Sequence, residues 1–555
     1  MNTTKPRIKN GLKRPSYVLA STISLSIQAF LAAPLFAEHI EQITGLTGNQ
    51  VLSPQQRPAP RPGPAPATGQ GDSGRGAPPA QPGPAEIDIT LRDIIDNFGL
   101  DRRADSALLP EIEHPVPQLG MKLFFSKSLG GQFDSACVTC HHPALGGADR
   151  LSLSVGVDAI DPDLLGPGRQ HQSGVPIVPR NAPTIFNTGL WDTGLFFDTR
   201  VESIGKEPGT NGMLSGIRTP DSAFFTPDEN AGANLAAAQA RFPVTSVEEM
   251  KSDNFEFGSG NEAIREHLAQ RIGGYGAAAD ELPANSWLDE FQMAFGSTAP
   301  AEDLITFDNI AFALGEYERS MVFDNTPWSR YTAGDLNAIN REAKQGARLF
   351  FTPVAQGGAG CGACHNGPLF SDGQHHNVAF PHIGPGKDDG NNDDFGRERE
   401  TGDPVDRYRF RTPSLLNIAT TAPYGHTGVY TSLQQVVRHY VNPQRSVQTL
   451  FDRGGACSLP QYRNVDDCEL LYPENEANSI LALQKLQQER QQGISRFQSP
   501  RLDNQQVDQL VAFLESLTDD CVQDRACLSR WIADPESSGP DGNQLNAHDP
   551  RGNTL

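Results

Sequence analysis

The sequence predicts a mainly α fold made of two similar domains joined by long loops, with little β structure. Three observations carry that prediction. Apolar residues recur at helical spacing in several stretches, whereas strand-like alternation is rare and short. Gly and Pro are abundant, at 54 and 43 residues, so long connections must join the helices. Finally, one segment is duplicated at a separation of about 220 residues, too wide for a solenoid repeat.

The duplicated segment holds Cys137-Val138-Thr139-Cys140-His141 in one copy and Cys361-Gly362-Ala363-Cys364-His365 in the other. Met121-Lys122-Leu123-Phe124-Phe125 precedes the first and Ala347-Arg348-Leu349-Phe350-Phe351 the second, with Pro143 and Pro368 following. C-x-x-C-H is the attachment sequence of a c-type haem. Two thiols one turn apart can each bond to the porphyrin edge, and the next residue offers an imidazole to the iron. A zinc site of four cysteines needs no histidine after each pair, and a redox dithiol occurs once, beside a βαβ pattern that is missing here. The expected cofactors are therefore two covalently bound haem c groups, held by Cys137, Cys140, Cys361 and Cys364, with His141 and His365 as axial ligands. The fold becomes two cytochrome c-like haem domains.

Helix signals fit that plan. Leu304, Phe307, Ala311 and Leu314 fall on one face of a helix running to about Met321. Asp335 is a candidate cap for a helix with Leu336, Ile339, Ala343 and Ala347 on one side, leading into the second motif. Val507, Leu510, Val511, Leu514 and Leu517 form a third stripe. These stripes read as core.

The ends read differently. Residues 1–37 have a basic start and a mostly apolar run, the pattern of a cleavable export signal rather than a stable membrane span. Its removal takes the formal net charge from -22 to -27, which argues against nucleic acid as a partner. Residues 38–86 read as a disordered Pro/Gly-rich linker. An N-terminal haem domain over 87–334, a C-terminal one over 335–535 and a flexible tail over 536–555 complete the division. Cys457, Cys468, Cys521 and Cys527 suggest two disulfides in an oxidising compartment; local pairing is the simplest of three possibilities.

Over about residues 115–530 the sequence resembles the bacterial di-haem cytochrome c peroxidase family, which includes MauG-like enzymes. The resemblance rests on Leu119 to Pro143, Arg180-Asn181-Ala182-Pro183-Thr184, Phe196-Phe197-Asp198, Phe242 to Met250, the second haem motif, Phe410 to Leu415 and Ala422-Pro423-Tyr424-Gly425-His426. It implies that hydrogen peroxide reacts at the N-terminal haem, with Glu249 as the acid-base residue and Gln239 lining the pocket. The C-terminal haem would pass electrons, with Tyr408 as its second ligand where classical members have Met. A phenolate lowers the reduction potential relative to a thioether. His426 would support that pocket, and Asn181 matches a position near a calcium ion.

Electrons would come from a small cytochrome or cupredoxin, or from Tyr or Trp residues of a protein substrate. The resemblance also implies an exported protein, in the periplasm or at the cell surface. Two features depart from the family. Phe197 stands where Trp usually lies between the haems, with Trp191 nearby as a substitute. The segment between Arg200 and Gln239 is an insertion without a readable role. His171 lies where some members carry a mobile haem ligand, although its composition reads as an exposed loop. Two other classes stay open: a rubber-cleaving type of di-haem dioxygenase, which Glu249 argues against, and a non-catalytic di-haem electron carrier.

Overall fold

Two helix pairs, built alike, organise the chain. The computed structural model describes residues 85–101, 108–387 and 389–555. The signal and nearly all of the linker expected at the N-terminus lie outside them. The helices that position the sites are α1 (Glu86–Phe98), α2 (Pro115–Phe124), α3 (Leu235–Ala240), α4 (Asn261–Gly273), α5 (Phe307–Arg319), α6 (Arg341–Phe351), α7 (Leu433–Val441), α8 (Pro443–Asp452), α9 (Asn475–Gln491) and α10 (Asn504–Glu515). Several of their starts are set by Pro or by a capping side chain. Pro115 opens α2 with a pre-set φ. The side chains of Thr306, Asn340 and Asp503 accept from the backbone N–H of Asn309, Ala343 and Gln506, respectively, and so satisfy a first-turn donor. Asn340, not Asp335, therefore caps the helix before the second motif, and Leu336 and Ile339 lie ahead of it.

In the first pair α2 crosses α5; in the second α6 crosses α10. Both crossings depend on a glycine. A Cβ at Gly120 would overlap the carbonyl of Ala313 and the Cβ of Tyr317. A Cβ at Gly346 would overlap the carbonyl of Gln509 and the Cβ of Phe513. Each glycine opens the same stretch, Gly-x-x-Leu-Phe-Phe, ahead of a haem motif.

Each pair nucleates its own core. Leu119, Leu123 and Phe124 pack with Ile310, Leu314 and Tyr317 in one. Ala343, Ala347 and Phe350 pack with Val507, Leu510 and Phe513 in the other. The chain ends are exchanged between the cores. Leu91 and Ile95 of α1 join the second core, although they precede the first motif. Trp531, Ile532, Leu545 and Ala547 join the first, although they follow the second. The tail expected to be flexible is thus packed: Trp287 Nε1–H donates to Asp541 at 2.7 Å, and the Leu545 N–H donates to the Phe125 carbonyl at 2.7 Å.

Helices dominate, and the described strands are few and short. Strands β1 (Gly194–Leu195), β2 (Val201–Ser203) and β3 (Ile217–Arg218) form an antiparallel sheet. Together with α3 this sheet buries Trp191, Leu195, Val201, Ile217 and Leu235. The insertion after Arg200 is therefore a small packed subdomain. Strands β4 (His375–His376) and β5 (Phe410–Arg411) pair beside the second motif. The disulfides are local, Cys457–Cys468 and Cys521–Cys527, and none of the four motif cysteines is in a disulfide. Among the described residues no helix is long and apolar enough to cross a membrane.

The glycine crossings predict a specific sensitivity. Gly120→Ala and Gly346→Ala should each lower stability by about 2 kcal/mol or more, because the added methyl meets backbone that cannot rotate away. Thermal denaturation of the purified variants, monitored separately at each site, measures the loss.

Candidate functional site

Both C-x-x-C-H segments fold as a single tight turn that brings the two cysteines to one side. Residues Cys137–Thr139 and Cys361–Ala363 form that turn. In the first, Thr139 Oγ1 accepts from the Ala136 N–H at 3.0 Å and fixes its entry. The following histidines are oriented alike. His141 Nδ1–H donates to the Gly147 carbonyl at 3.2 Å, and His365 Nδ1–H to the Phe370 carbonyl at 2.8 Å. A backbone carbonyl on Nδ1 fixes the tautomer that leaves Nε2 as the ligating nitrogen. Burial pushes His141 down to about 4 and lowers His365 as well, so both imidazoles are neutral, as ligands must be.

Each motif borders a cavity. The first has a volume of about 140 Å³ and is lined by Cys137, Cys140 and His141 together with Gln239 and Glu249. The second, about 440 Å³, is lined by Cys361, Cys364, His365 and Tyr408. Two cysteines one turn apart and an imidazole held through Nδ1 beside a cavity are the donor set that a covalently attached haem requires, so the residues fit the group at both places.

The first cavity is strongly charged. Glu249 sits in the turn Val247–Lys251, and Gly156 packs directly on its carbonyl. Burial raises the Glu249 carboxyl, while Arg200 and Lys387 pull it back and Glu248 adds to the rise. Arg200 stacks 3.4 Å from the centre of the Phe196 ring. The sequence pattern therefore brings Glu249, Gln239 and His141 to one place, and Lys387 and Arg200 are additions to it.

The second cavity is larger and more apolar. Tyr408 is buried and donates from Oη to Asp393 at 2.8 Å. Burial and that carboxylate push its phenol well above the usual range. Its φ is +61°, an unusual conformation for a bulky residue and one that tertiary contacts must hold. His382 and His426 line the same cavity, and the Nε2 atom of each is buried without a hydrogen-bond partner. His382 lies with its ring centre 5.5 Å from that of Tyr408. His426 stacks on Phe410 at 3.9 Å. Sequence reasoning misses His382, since a single histidine in a loop carries no pattern.

Phe197 and Arg411 border both cavities. The Arg411 backbone N–H donates to the Phe197 carbonyl at 2.7 Å, and its guanidinium lies 3.9 Å from the Trp191 ring centre. Trp191 borders the first cavity, one arginine away from the second. His171 and Asn181 are further candidates, and Asn181 borders the first cavity. His171 is buried rather than exposed and lines neither cavity; its Nδ1 accepts from the Ser173 N–H at 3.0 Å. Asn181 donates from Nδ2 to the Leu151 carbonyl at 2.7 Å, with no cluster of three acidic, Cys or His ligands around it among the described residues.

The arrangement, two C-x-x-C-H cavities in one helical chain, matches a known class. The family model for di-haem cytochrome c peroxidase matches residues 115–337. The methylamine utilization protein MauG of Methylorubrum extorquens is 28% identical over 362 residues, which cover 64% of this chain and 78% of that protein. The cytochrome-c peroxidase IdrP1 of Pseudomonas sp. strain SCT is 29% identical over 389 residues, covering 64% and 78%. The cytochrome c551 peroxidase of Pseudomonas aeruginosa is 28% identical over 334 residues, covering 60% and 73%. These matches support membership of the di-haem cytochrome c peroxidase and MauG family.

The proposal that both cysteine pairs attach haem covalently makes a direct prediction. The Cys361→Ala/Cys364→Ala variant should retain one haem per chain under denaturing conditions where the parent retains two. Intact-protein mass spectrometry counts them.

Proposed function

We propose that the protein is an exported c-type di-haem peroxidase that reduces hydrogen peroxide at the first cavity and receives electrons through the second. The observation that carries this reading is the gathering of Glu249, Gln239 and His141 around one cavity, while Tyr408 faces the other with His365. Cys137, Cys140 and His141 would hold one haem, and Cys361, Cys364, His365 and Tyr408 the other. When bound, the haem irons supply the electron transfer that peroxide reduction needs.

The chain's own residues supply the rest. Glu249 accepts a proton from one peroxide oxygen and returns it to the other as the O–O bond breaks, and it does so from a site where burial keeps its basicity high. Gln239 orients the peroxide from the same wall. Arg200 and Lys387 restrain the rise of Glu249 and so favour its carboxylate form. At the second cavity Asp393 accepts the Tyr408 hydrogen bond and aims the phenol. A phenolate there favours holding oxidising equivalents, which suits oxidation of Tyr or Trp residues on a protein substrate; a small cytochrome or cupredoxin is the other class of donor. The basic, apolar N-terminal sequence supports export to the periplasm or cell surface. The charged first cavity, with Glu249 at its wall, disfavours a dioxygenase acting on an apolar polymer.

Two measurements test this reading. Glu249→Gln should lower kcat/KM for peroxide by about 10²–10⁴ with the haem content unchanged. The sign of the pH dependence follows from the raised carboxyl: proton acceptance is lost as pH falls through a value above the ordinary 4.5, and this acid limb should vanish in Glu249→Gln. At the second site, Tyr408→Met should raise the reduction potential of that haem in a spectroelectrochemical titration, because a thioether replaces an anionic oxygen. An unchanged potential would assign the ligand to His382 or His426 instead.

A further inference from the structure

A third cleft, away from both motif cavities, has an unusual charge. It has a volume of about 680 Å³ and lies among α7, α8 and the loop closed by the Cys457–Cys468 disulfide. Arg438, Arg445, Arg453 and Arg463 all line it, and no carboxylate does. The chain as a whole carries a net charge of -22, so carboxylates are plentiful elsewhere. Buried arginines near the cavities use them: Arg180 pairs with Asp198 and Asp394, and Arg397 with Glu202. None of the four cleft arginines forms an ion pair among the described residues; Arg438 donates only to Asn504, at 3.1 Å.

The cleft is also rigidly built. Tyr430 donates from Oη to His439 Nδ1 at 2.7 Å, while His439 Nε2–H donates to the Val378 carbonyl at 2.8 Å. Ser446 on α8 lies 3.0 Å from the same Tyr430 oxygen, which ties α7 to α8. The disulfide holds the loop that carries Arg463, anchored by the buried Tyr462. Between the arginines the walls are apolar, with Val441, Leu450 and Leu459 among them.

We propose that this cleft binds an organic polyanion, a molecule with an apolar body and two or more carboxylate or phosphate groups. Four uncompensated guanidiniums match several anionic groups at once, and the apolar walls match a hydrocarbon or aromatic body. The volume lies within the usual 300–1,000 Å³ range of small-ligand sites. An acidic protein is the poorer match, because the net charge of the whole chain repels it at long range, whereas a compact anion inside the cleft meets mainly the local field. The site is one helix from the second cavity. Val436 and Val437 of α7 border that cavity, Arg438 borders the cleft, and Leu502 borders both. The proposal does not depend on the peroxidase reading, since binding is measured without turnover.

The test is calorimetric titration of the full haem-loaded protein with benzene-1,3,5-tricarboxylate at low ionic strength. We expect saturable binding at one site per chain, weakened at least ~tenfold in Arg445→Glu/Arg463→Glu and also weakened in Arg445→Gln/Arg463→Gln. The same charge change at exposed Arg341 and Arg551 should leave the affinity within about twofold. The proposal is overturned by absence of saturable heat, by sulfate binding equally well at matched ionic strength, or by equal weakening in the Arg341/Arg551 control. A cleft that ignores the tricarboxylate yet captures an acidic protein through Arg445 and Arg463 would overturn the small-ligand assignment.

Discussion

Backbone meets backbone at two helix crossings, and both sites depend on that approach. Gly120 on the Ala313 carbonyl and Gly346 on the Gln509 carbonyl let each helix pair close to a distance that side chains would forbid. The helix that carries the glycine ends with 12 residues between it and its haem motif in the first copy and 9 in the second. Its Phe pair, Phe124-Phe125 or Phe350-Phe351, is thereby driven into the core beneath the motif turn. The position of each cysteine pair follows from the crossing, because the segment between helix and motif is short and tied by backbone hydrogen bonds. In the second copy, the Ala359 N–H donates to the Leu349 carbonyl at 2.7 Å. The duplication therefore preserves a packing geometry as well as a binding motif.

A second constraint links the two halves. Arg180 lies ahead of the sheet segment and Asp394 in the loop before Tyr408, yet they form a bidentate pair at 2.6 and 2.8 Å, with Asp198 on the other side of the guanidinium at 2.6 Å. Burial alone would raise both carboxyls; Arg180 outweighs it and holds them well below the usual range. Such a buried triad is weak evidence for net stability, but removing one partner costs about 3–5 kcal/mol. Its effect here is registration. It pins the segment that supplies Phe196, Phe197 and Arg200 to the segment that supplies Lys387, Asp393 and Tyr408. The exchanged chain ends work in the same direction, since α1 belongs to the second core and the C-terminal segment to the first.

What was legible in the sequence follows from this physics. C-x-x-C-H has a fixed spacing, so the motif cysteines and histidines could be picked out directly, and the other four cysteines pair in the local disulfides expected of them. Helical stripes showed that a face is buried but not against what, which is why the exchange of ends was hidden. The strands of the inserted sheet have two or three residues each, too few for an alternating pattern to emerge. The C-terminal segment looks polar because it is anchored by isolated contacts at Leu545, Ala547 and Asp541 rather than by a stripe. Glu249 and Gln239 needed the family pattern; nothing local distinguishes Glu249 from Glu248. Lys387 and His382 reach the cavities, and Asp393 reaches Tyr408, from a loop whose composition reads as plain surface.

The two cavities differ in a way that the shared motif does not dictate. Around the first, a carboxylate faces two cations and the free volume is small. Around the second, a phenol donates to a carboxylate, two histidines stand with unpaired nitrogens, and the walls are largely aromatic and aliphatic. An imidazole held through Nδ1 is common to both, so it cannot set the difference. The opposite wall must. A charged, acid-base wall favours moving protons on a small polar molecule, whereas a strong ligand in apolar surroundings favours storing or passing charge with little reorganisation. Tyr408 is central to that division. Its left-handed backbone and its bond to Asp393 fix the phenol at the cavity wall. Asp393 raises the cost of losing the phenolic proton to solvent while offering an acceptor beside it, so ligation by Tyr408 would be coupled to where that proton goes. Asp393 also lies 3.5 Å from His382, which places the acceptor and a second titratable ring in one buried group.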